Sequence, residues 1–446
     1  MKIEIAKSKQ EEANVLAIAL VLTGVLGVIL GGALYWGQTQ HRLVSESQAW
    51  NSSLAIAEAG IEEAMAQLNI VLGTNFVPSI QTNGWGTTPS GGYGPRINSL
   101  LGGYYSVIIS NDFPPSIYST GYAQRPFGGL YVSRSVKVTT IATAMFGQGG
   151  VAVMQNIDMK GNNVMLDSYD SSDPLHSLLG QYNPLTRLAG GNVVSASGLI
   201  NVGNAEIYGH VWTSPWGSLS VGSGGMVGDV PANWPTQSGI EPGWYTNDYN
   251  GSFKDVTVPF SSSINVLTSV PTYNAVTKTY TLTGGDYYYS GAFNLQNGYS
   301  LLAAPGTSNR LYITGGFTMQ GQNGSVVGVG PNASLQVFVG TTDTTQPVSS
   351  TFTMVTNADA GSFQYYGLPS NTSVSWSGNA NYEGVVYAPE AAFSLGGSGN
   401  TTTNDYQGAC IVQSLVMNGH FNFHYDQALK LKGPFSGFNV ASWQEL

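Results

Sequence analysis

Residues Ala13 to Asn69 read ANVLAIALVLTGVLGVILGGALYWGQTQHRLVSESQAWNSSLAIAEAGIEEAMAQLN. Between Glu12 and Arg42 there is no Asp, Glu, Lys or Arg, and no proline interrupts the run. A helix of about 20 apolar residues crosses the hydrocarbon of a bilayer, so residues 13–36 are expected to form a transmembrane segment. The run is longer than a secretory signal core, and no small-x-small cleavage site precedes a mature start, which favours an uncleaved anchor. Lys2, Lys7 and Lys9 lie before it and Arg42 alone lies just after. That asymmetry puts residues 1–12 in the cytoplasm and the bulk of the chain across the inner membrane, as a single-pass protein. Tyr35 and Trp36 stand where an interfacial aromatic belt is expected.

Beyond the anchor, Leu43, Trp50, Leu54, Ala57, Ile61, Ala64 and Leu68 recur at intervals of three, four or seven, with Gln, Ser and Glu on the other faces. This is the period of an amphipathic helix, read as a stalk over residues 37–72. Its apolar stripe is assigned to packing against partner helices; the alternative is a helix packed on its own domain. With no break between the two segments, residues 13–72 form one rod about 90 Å long.

The remaining chain is predicted to be β-structure. Of 446 residues, 9% are charged and 42% hydrophobic, with 58 glycines, so two or three folding units with ample core material are expected. Gly73 to Gly103 is rich in Gly, Pro, Ser, Asn and Thr and reads as a connector. The runs GYYSVIIS (103–110), PSIYSTGYA (115–123) and YVSRSVKVTTIAT (131–143) follow. They are expected to form a small antiparallel sheet on the stalk, a small β head over residues 73–146. From residue 147 to 446, short strands alternate with Gly and Asn, as in GNVVSASGLINVGNAEIYGHVWT and RLYITGGFTMQGQNGSVVG. Such spacing suits a single-stranded right-handed β-helix, with a β-sandwich pair as the alternative. Two copies of Tyr-x-Gly, at Tyr382 and Tyr406, mark two successive coils.

Composition narrows the function classes. A net charge of -10 with scattered Lys and Arg offers no phosphate-binding patch, so nucleic acid is not an expected partner. The single cysteine, Cys410 in GACIVQSLVM, excludes an internal disulfide framework and reads as a buried apolar residue.

At Ala57, Glu58, Ala59, Gly60, Ile61, Glu62, Glu63 and Ala64 the chain resembles the N-terminal module of PilX-type minor pilins, with Ser47, Gln48, Ala49 and Trp50 as the lead-in. The closing His424, Tyr425, Asp426, Ala428 and Leu429 resemble the H-Y-D-x-A-L end of the β-helical domain found behind such N-termini. Leu166 to Pro174 fits that domain's opening coil. The resemblance implies a membrane-anchored protein of a type IV pilus or related secretion assembly, displaying a β-helical surface or adhesion domain. Its implied partners are the membrane, other pilin-like subunits or inner-membrane assembly proteins, and a surface glycan. Prepilins carry a glycine at the cleavage point and a glutamate inside the apolar helix. Ala13 stands near the first position and the run holds no acid, so prepilin-type processing is not expected.

Three constellations bear on chemistry. Asp167, Asp170 and Asp173 form the densest carboxylate cluster and are weak candidates for a hard cation, with turn-capping as the favoured role. On a strand, His420, Asn422, His424 and Asp426 would share one face opposite Phe421, Phe423 and Tyr425, more readily as a polar coil face than as a metal site. A polysaccharide-binding or polysaccharide-cleaving β-helix is the alternative function. Asp229, Asp255, Asp286, Glu383 and Glu390 are not paired by sequence, although Trp212, Trp216, Trp234 and Trp244 offer rings for sugars. No nucleophile-elbow, zinc-protease, phosphate-loop or dinucleotide motif is present, so neither enzyme activity nor a cofactor is expected.

Overall fold

A computed structural model describes residues 5–69, 84–125, 129–159, 161, 163–260, 272–319, 326–353, 355–356, 359–377, 381–396, 404–418 and 421–446. His420, residues 1–4, the last stalk positions 70–72 and connector residues 73–83 lie outside the described residues. The protein is mainly β, with one long N-terminal helix and a small antiparallel sheet. It divides into two compact units. The first holds the described residues up to Ala142 together with Gly437–Leu446, and the second holds Thr143–Ser436.

In the first unit, helix α1 (Ile5–Asn69) is unbroken for 65 residues, about 98 Å at 1.5 Å per residue. Its last turns pack on strands β1 (Tyr93–Leu100), β2 (Gly103–Ile109), β3 (Ser116–Gln124) and β4 (Tyr131–Ala144), paired antiparallel in that order. β2, β3 and β4 coincide with the three β-rich runs of the sequence. β1 lies within the stretch read as connector. Its Pro95 stands beside a register shift at the sheet edge, where proline is tolerated because no ladder bond is lost. The sheet also gains a fifth strand beside β4 from the last residues of the chain. Leu446 N donates to Ser135 O at 2.9 Å, and Thr139 and Ser442 join their hydroxyls. Residues 437–446 therefore leave the 147–446 domain expected from sequence and belong to the head. Val107, Ile109, Ile117, Val136, Val138 and Phe438 close the core against the helix.

The second unit is built of short strands in parallel register. Between its described strands only the hairpin of Thr272–Asn274 with Thr279–Leu282 is antiparallel, and isolated antiparallel bridges join Ser168 to Leu188 and Leu178 to Gln181. One chain of register partners runs through it without a gap: Tyr288, Tyr312, Phe338, Tyr366, Tyr387, Ile411, Ala152, Val194, Trp212 and Thr246. These ten layers span about 43 Å at the usual strand spacing. Their spatial order is not the sequence order. The chain starts in the middle with Val151–Val153, runs outward to Tyr245–Thr246, and reappears at the far end with Gly285–Tyr289. It then works back inward until Asn404–Asn418 fits between Tyr382–Gly396 and the first layer. The two Tyr-x-Gly copies are stacked, Tyr382 on Tyr406 and Gly384 on Gly408. Gly408 has φ 142°, and a Cβ there would run into the Gly384 carbonyl, so both features require glycine.

Alternation along each strand sends Leu311, Val337, Tyr365, Val386, Cys410, Val151 and Val193 to the interior. Tyr382, Tyr406 and Phe423 form a column there, with rings 4.6 and 4.4 Å apart. The outward Tyr288-to-Trp212 ladder is not left bare. Residues 249–260 lie along it as an extended strap. Tyr249 N bonds Thr213 O at 3.0 Å, Tyr387 Oη donates to Lys254 O at 2.6 Å, and Val256 is buried in the same cluster. Phe260 meets Tyr312 edge-on at 5.9 Å. The strap thus removes from water the apolar stripe that the ladder would otherwise expose.

Candidate functional sites in the two units

The stripe expected to contact partner helices divides in two. Ala57, Ile61 and Leu68 are buried under the chain's own sheet, with Leu54 partly buried beside them. Leu43 and Trp50 stay 55% and 49% exposed. Arg134 of β4 sits 5.1 Å above the Trp50 ring and makes a two-pronged pair with the Glu445 carboxylate.

The AEAGIEEA signature explains itself as a docking surface for the head. Ala57, Gly60, Ile61 and Ala64 face the sheet, whereas Glu58 and Glu62 face solvent and Ala59 is half-buried. A Cβ on Gly60 would collide with Ser119 Oγ and touch the Tyr105 ring at 3.0 Å. A Cβ on the opposing Gly121 would strike the helix backbone at Ser53, Ile56 and Ala57. Small residues on both sides therefore set a close helix-to-sheet approach. Glu63 fastens it: Tyr105 Oη and Asn98 Nδ2 donate to Oε2, the latter at 3.0 Å, and Arg96 Nε lies 3.3 Å from Oε1. Burial, and then Glu63 itself, raise the Tyr105 phenol above its usual pKa.

From Val15 to Trp36 every residue of α1 is exposed. By length and composition this helix is a candidate membrane anchor. The hydroxyl of Thr23 returns to the carbonyls of Ala19 and Leu20 at 2.8 and 3.0 Å, so the apolar run holds no unsatisfied side-chain donor there.

In the second unit the three aspartates of DSYDSSDP point apart. Asp170 accepts from Ser172 N and Asp173 from Leu175 N, both turn caps at 2.9 Å. Asp167 is fully buried and meets His424 Nδ1 at 2.5 Å. Among the described residues no group of three His, Cys, Asp or Glu is arranged to hold a metal ion. His424 stands between two carboxylates, with Asp405 Oδ1 3.5 Å from Nε2, and Tyr182 covers it. The Tyr182 ring stacks on the imidazole at 3.4 Å, and its hydroxyl donates to Asp167 Oδ2 at 2.6 Å. Burial pulls the His424 pKa down, but Asp167 and Asp405 prevail and hold it above its ordinary value. The same surroundings raise Tyr182, through burial and then the Asp167 charge. Tyr425 donates to Phe146 O at 2.6 Å, and Asp426 accepts from Ser171 N and Ala428 N at 3.0 Å each. Tyr182 and Asp405 carry no signal in the sequence, because spatial stacking alone brings them to His424.

Four other acids have partners of their own, whereas Asp255 and Glu390 share a hydrogen bond with each other. Asp286 pairs with Arg310, Glu383 accepts from Gln181, and Asp229 and Glu241 hold backbone or amide donors. Glu390 has a raised pKa, from burial and then the neighbouring Asp255 carboxyl. Trp212 and Trp244 both stack on His210, at 5.3 and 4.4 Å, while Trp216 is 91% exposed.

A family model described as Domain of unknown function (DUF7305) matches residues 259–431, which takes in the layers from Thr272 to Asp426. No curated protein matches the chain. Among solved structures, the competence-associated pilin ComZ from Thermus thermophilus is similar at 12% identity and a TM-score of 0.23, covering 89% of this chain and 97% of that one. The DUF3494 domain of Shewanella frigidimarina ice-binding protein 1 is similar at 12% identity and a TM-score of 0.20, covering 64% of this chain and 98% of that one. At those identities and scores neither likeness assigns this chain a ligand or a partner.

Proposed function

We propose that this chain is a membrane-anchored, pilin-like protein of a type IV pilus or related secretion assembly. The single observation that carries the proposal is the division of α1. Its first part, Val15–Trp36, is apolar and exposed throughout, whereas its last turns are docked to an antiparallel head through AEAGIEEA. An apolar helix of that length left in water would be a severe aggregation hazard, and a bilayer or a bundle of like helices removes it. Leu43 and Trp50 lie on the exposed part of the stalk and are the positions available to other pilin-like subunits or inner-membrane assembly proteins.

In this proposal the N-terminus is cytoplasmic, and the second unit is a right-handed β-helix held outside the cytoplasm as a surface or adhesion domain, with each strand triplet one coil. The parallel register ladders support a β-helix over a sandwich pair, whose sheets are usually antiparallel. The protein acts by association and not by turnover. Fractionation tests the anchor: the intact chain should stay with membranes through alkaline carbonate, and its recovery as soluble protein with residues 13–36 intact would refute it. A glycan array with a reducing-end assay tests the mode of action, since turnover of any polysaccharide would replace this proposal with an enzymatic one.

A further inference from the structure

We infer that His424 is the catch that fastens residues 170–192 over the layered sheet, and that loss of the imidazole proton frees that segment. The outward row Glu383, Gln407, His424 and Asp167 consists of successive register partners, so these polar side chains would face water on a bare strand face. All four are buried instead. The cover is the 170–192 segment, tied down residue by residue onto that row. Gln181 Nε2 donates to Glu383 at 3.2 Å, Tyr182 N reaches Gln407 Oε1 at 3.5 Å, and Tyr182 lies on His424 with its hydroxyl on Asp167. At its base Ser168 and Leu188 exchange backbone bonds at 3.0 and 2.7 Å.

The centre of this contact is electrostatically conditional. His424 is faced by Asp167 from strand Val164–Tyr169, by Asp405 from strand Asn404–Asn418 and by Tyr182 from the segment itself. Arg187 of the segment is directed to Tyr208, and Glu383 is engaged by Gln181. An imidazolium there compensates the fully buried Asp167 and the partly exposed Asp405 at once. A neutral imidazole leaves Asp167 with hydrogen bonds but no countercharge, and lifting the segment to admit water becomes the cheaper arrangement. With the segment closed the histidine holds its proton more tightly than when open. The closed state is therefore at full strength below about pH 6.5 and weakens as pH climbs through the raised value.

Hydrogen exchange on the full chain in detergent, divided by the intrinsic rate at each pH, tests this directly. Protection of the Ser168 and Leu188 amides should fall by up to tenfold per pH unit above about pH 6.5, while Leu311 and Val337 in distant layers hold constant. In His424→Gln the slope should vanish. Should that variant not fold, Tyr182→Phe, which keeps the ring and loses the bond to Asp167, should lower protection at every pH and retain the slope. Protection at Ser168 and Leu188 that ignores pH, or that falls in parallel with Leu311 and Val337, would overturn the inference.

Discussion

Gly121→Ala should damage the head far more than Gly60→Ala, although Gly60 belongs to the recognisable signature and Gly121 does not. The three atoms nearest a Cβ at Gly121, Ser53 O, Ala57 N and Ile56 C, are all helix backbone, and none of them can rotate away. The helix must move off the sheet, loosening Ala57, Ile61, Ala64 and Leu68 from their core contacts. Overpacking of that kind costs about 3 kcal/mol, the upper part of the usual range. At Gly60 the obstructing atoms are Ser119 Oγ and the Tyr105 ring, and alanine regains about 1 kcal/mol of helix propensity, so the net loss is about 1 kcal/mol. Ser119 Oγ is buried without a hydrogen-bond partner. Ser119→Ala should therefore be nearly neutral alone and should rescue Gly60→Ala by about 1 kcal/mol in a double-mutant cycle, with no effect on Gly121→Ala. The assay is hydrogen exchange of the Val107, Ile117 and Val136 amides in the full chain, which reports the head without averaging over the second unit. Equal losses for the two glycine variants, or a Gly121→Ala effect under about 0.5 kcal/mol, would refute the close-approach argument.

Three further outcomes are expected. Leu26→Arg, at the middle of the exposed apolar helix, should cost about 2.5–3.5 kcal/mol of insertion and shift the chain toward the carbonate-extractable fraction; unchanged membrane retention would count against the anchor. The second unit should unfold in base: Tyr387 is pushed up to about 12 by burial, and Tyr365, Tyr366, Tyr382 and Tyr406 are raised further. Unfolded tyrosines ionise near pH 10, so stability is intact below about pH 10 and lost as pH rises through the raised values, with Tyr387 alone worth about 2–3 kcal/mol. Ionisation of Tyr387 near pH 10 with the β signal intact, read as the tyrosinate absorbance that Tyr387→Phe loses, would contradict this. Cys410 is fully buried, and burial drives its thiol pKa up, so a thiol reagent should react only as fast as the second unit opens. Fast reaction under native conditions would show that the interior register is wrong.

Local pattern made the long helix, β2 to β4, and the short-strand texture of the second unit legible in advance. The twin Tyr-x-Gly copies fell on adjacent layers because identical backbone demands repeat where identical layers stack. β1 was hidden by Gly94, Pro95, Asn98 and Ser99, turn formers whose local preference is overridden at a sheet edge. The stalk stripe was visible, but periodicity reports only that a face is buried. Whether the chain's own sheet or a partner covers it depends on tertiary structure, and Ala57 and Ile61 went to the former. For His424 the limit was distance along the chain. Asp167 is 257 positions away, and no local pattern announces that the last layer fills a gap beside the first.

That interleaved order has a mechanical meaning. The strand that opens the stack, Val151–Val153, and the strand that follows the last filled layer, Phe421–Asp426, both belong to its middle, where Cys410 lies beside Val151 and Asp426 beside Tyr169. Tension arriving through the chain on either side of the second unit would load neighbouring strands and leave the outermost layers slack. A stack threaded from one end to the other would carry the same pull through every layer in series. Here the outermost layers lie off the loaded path, which runs through the central pair.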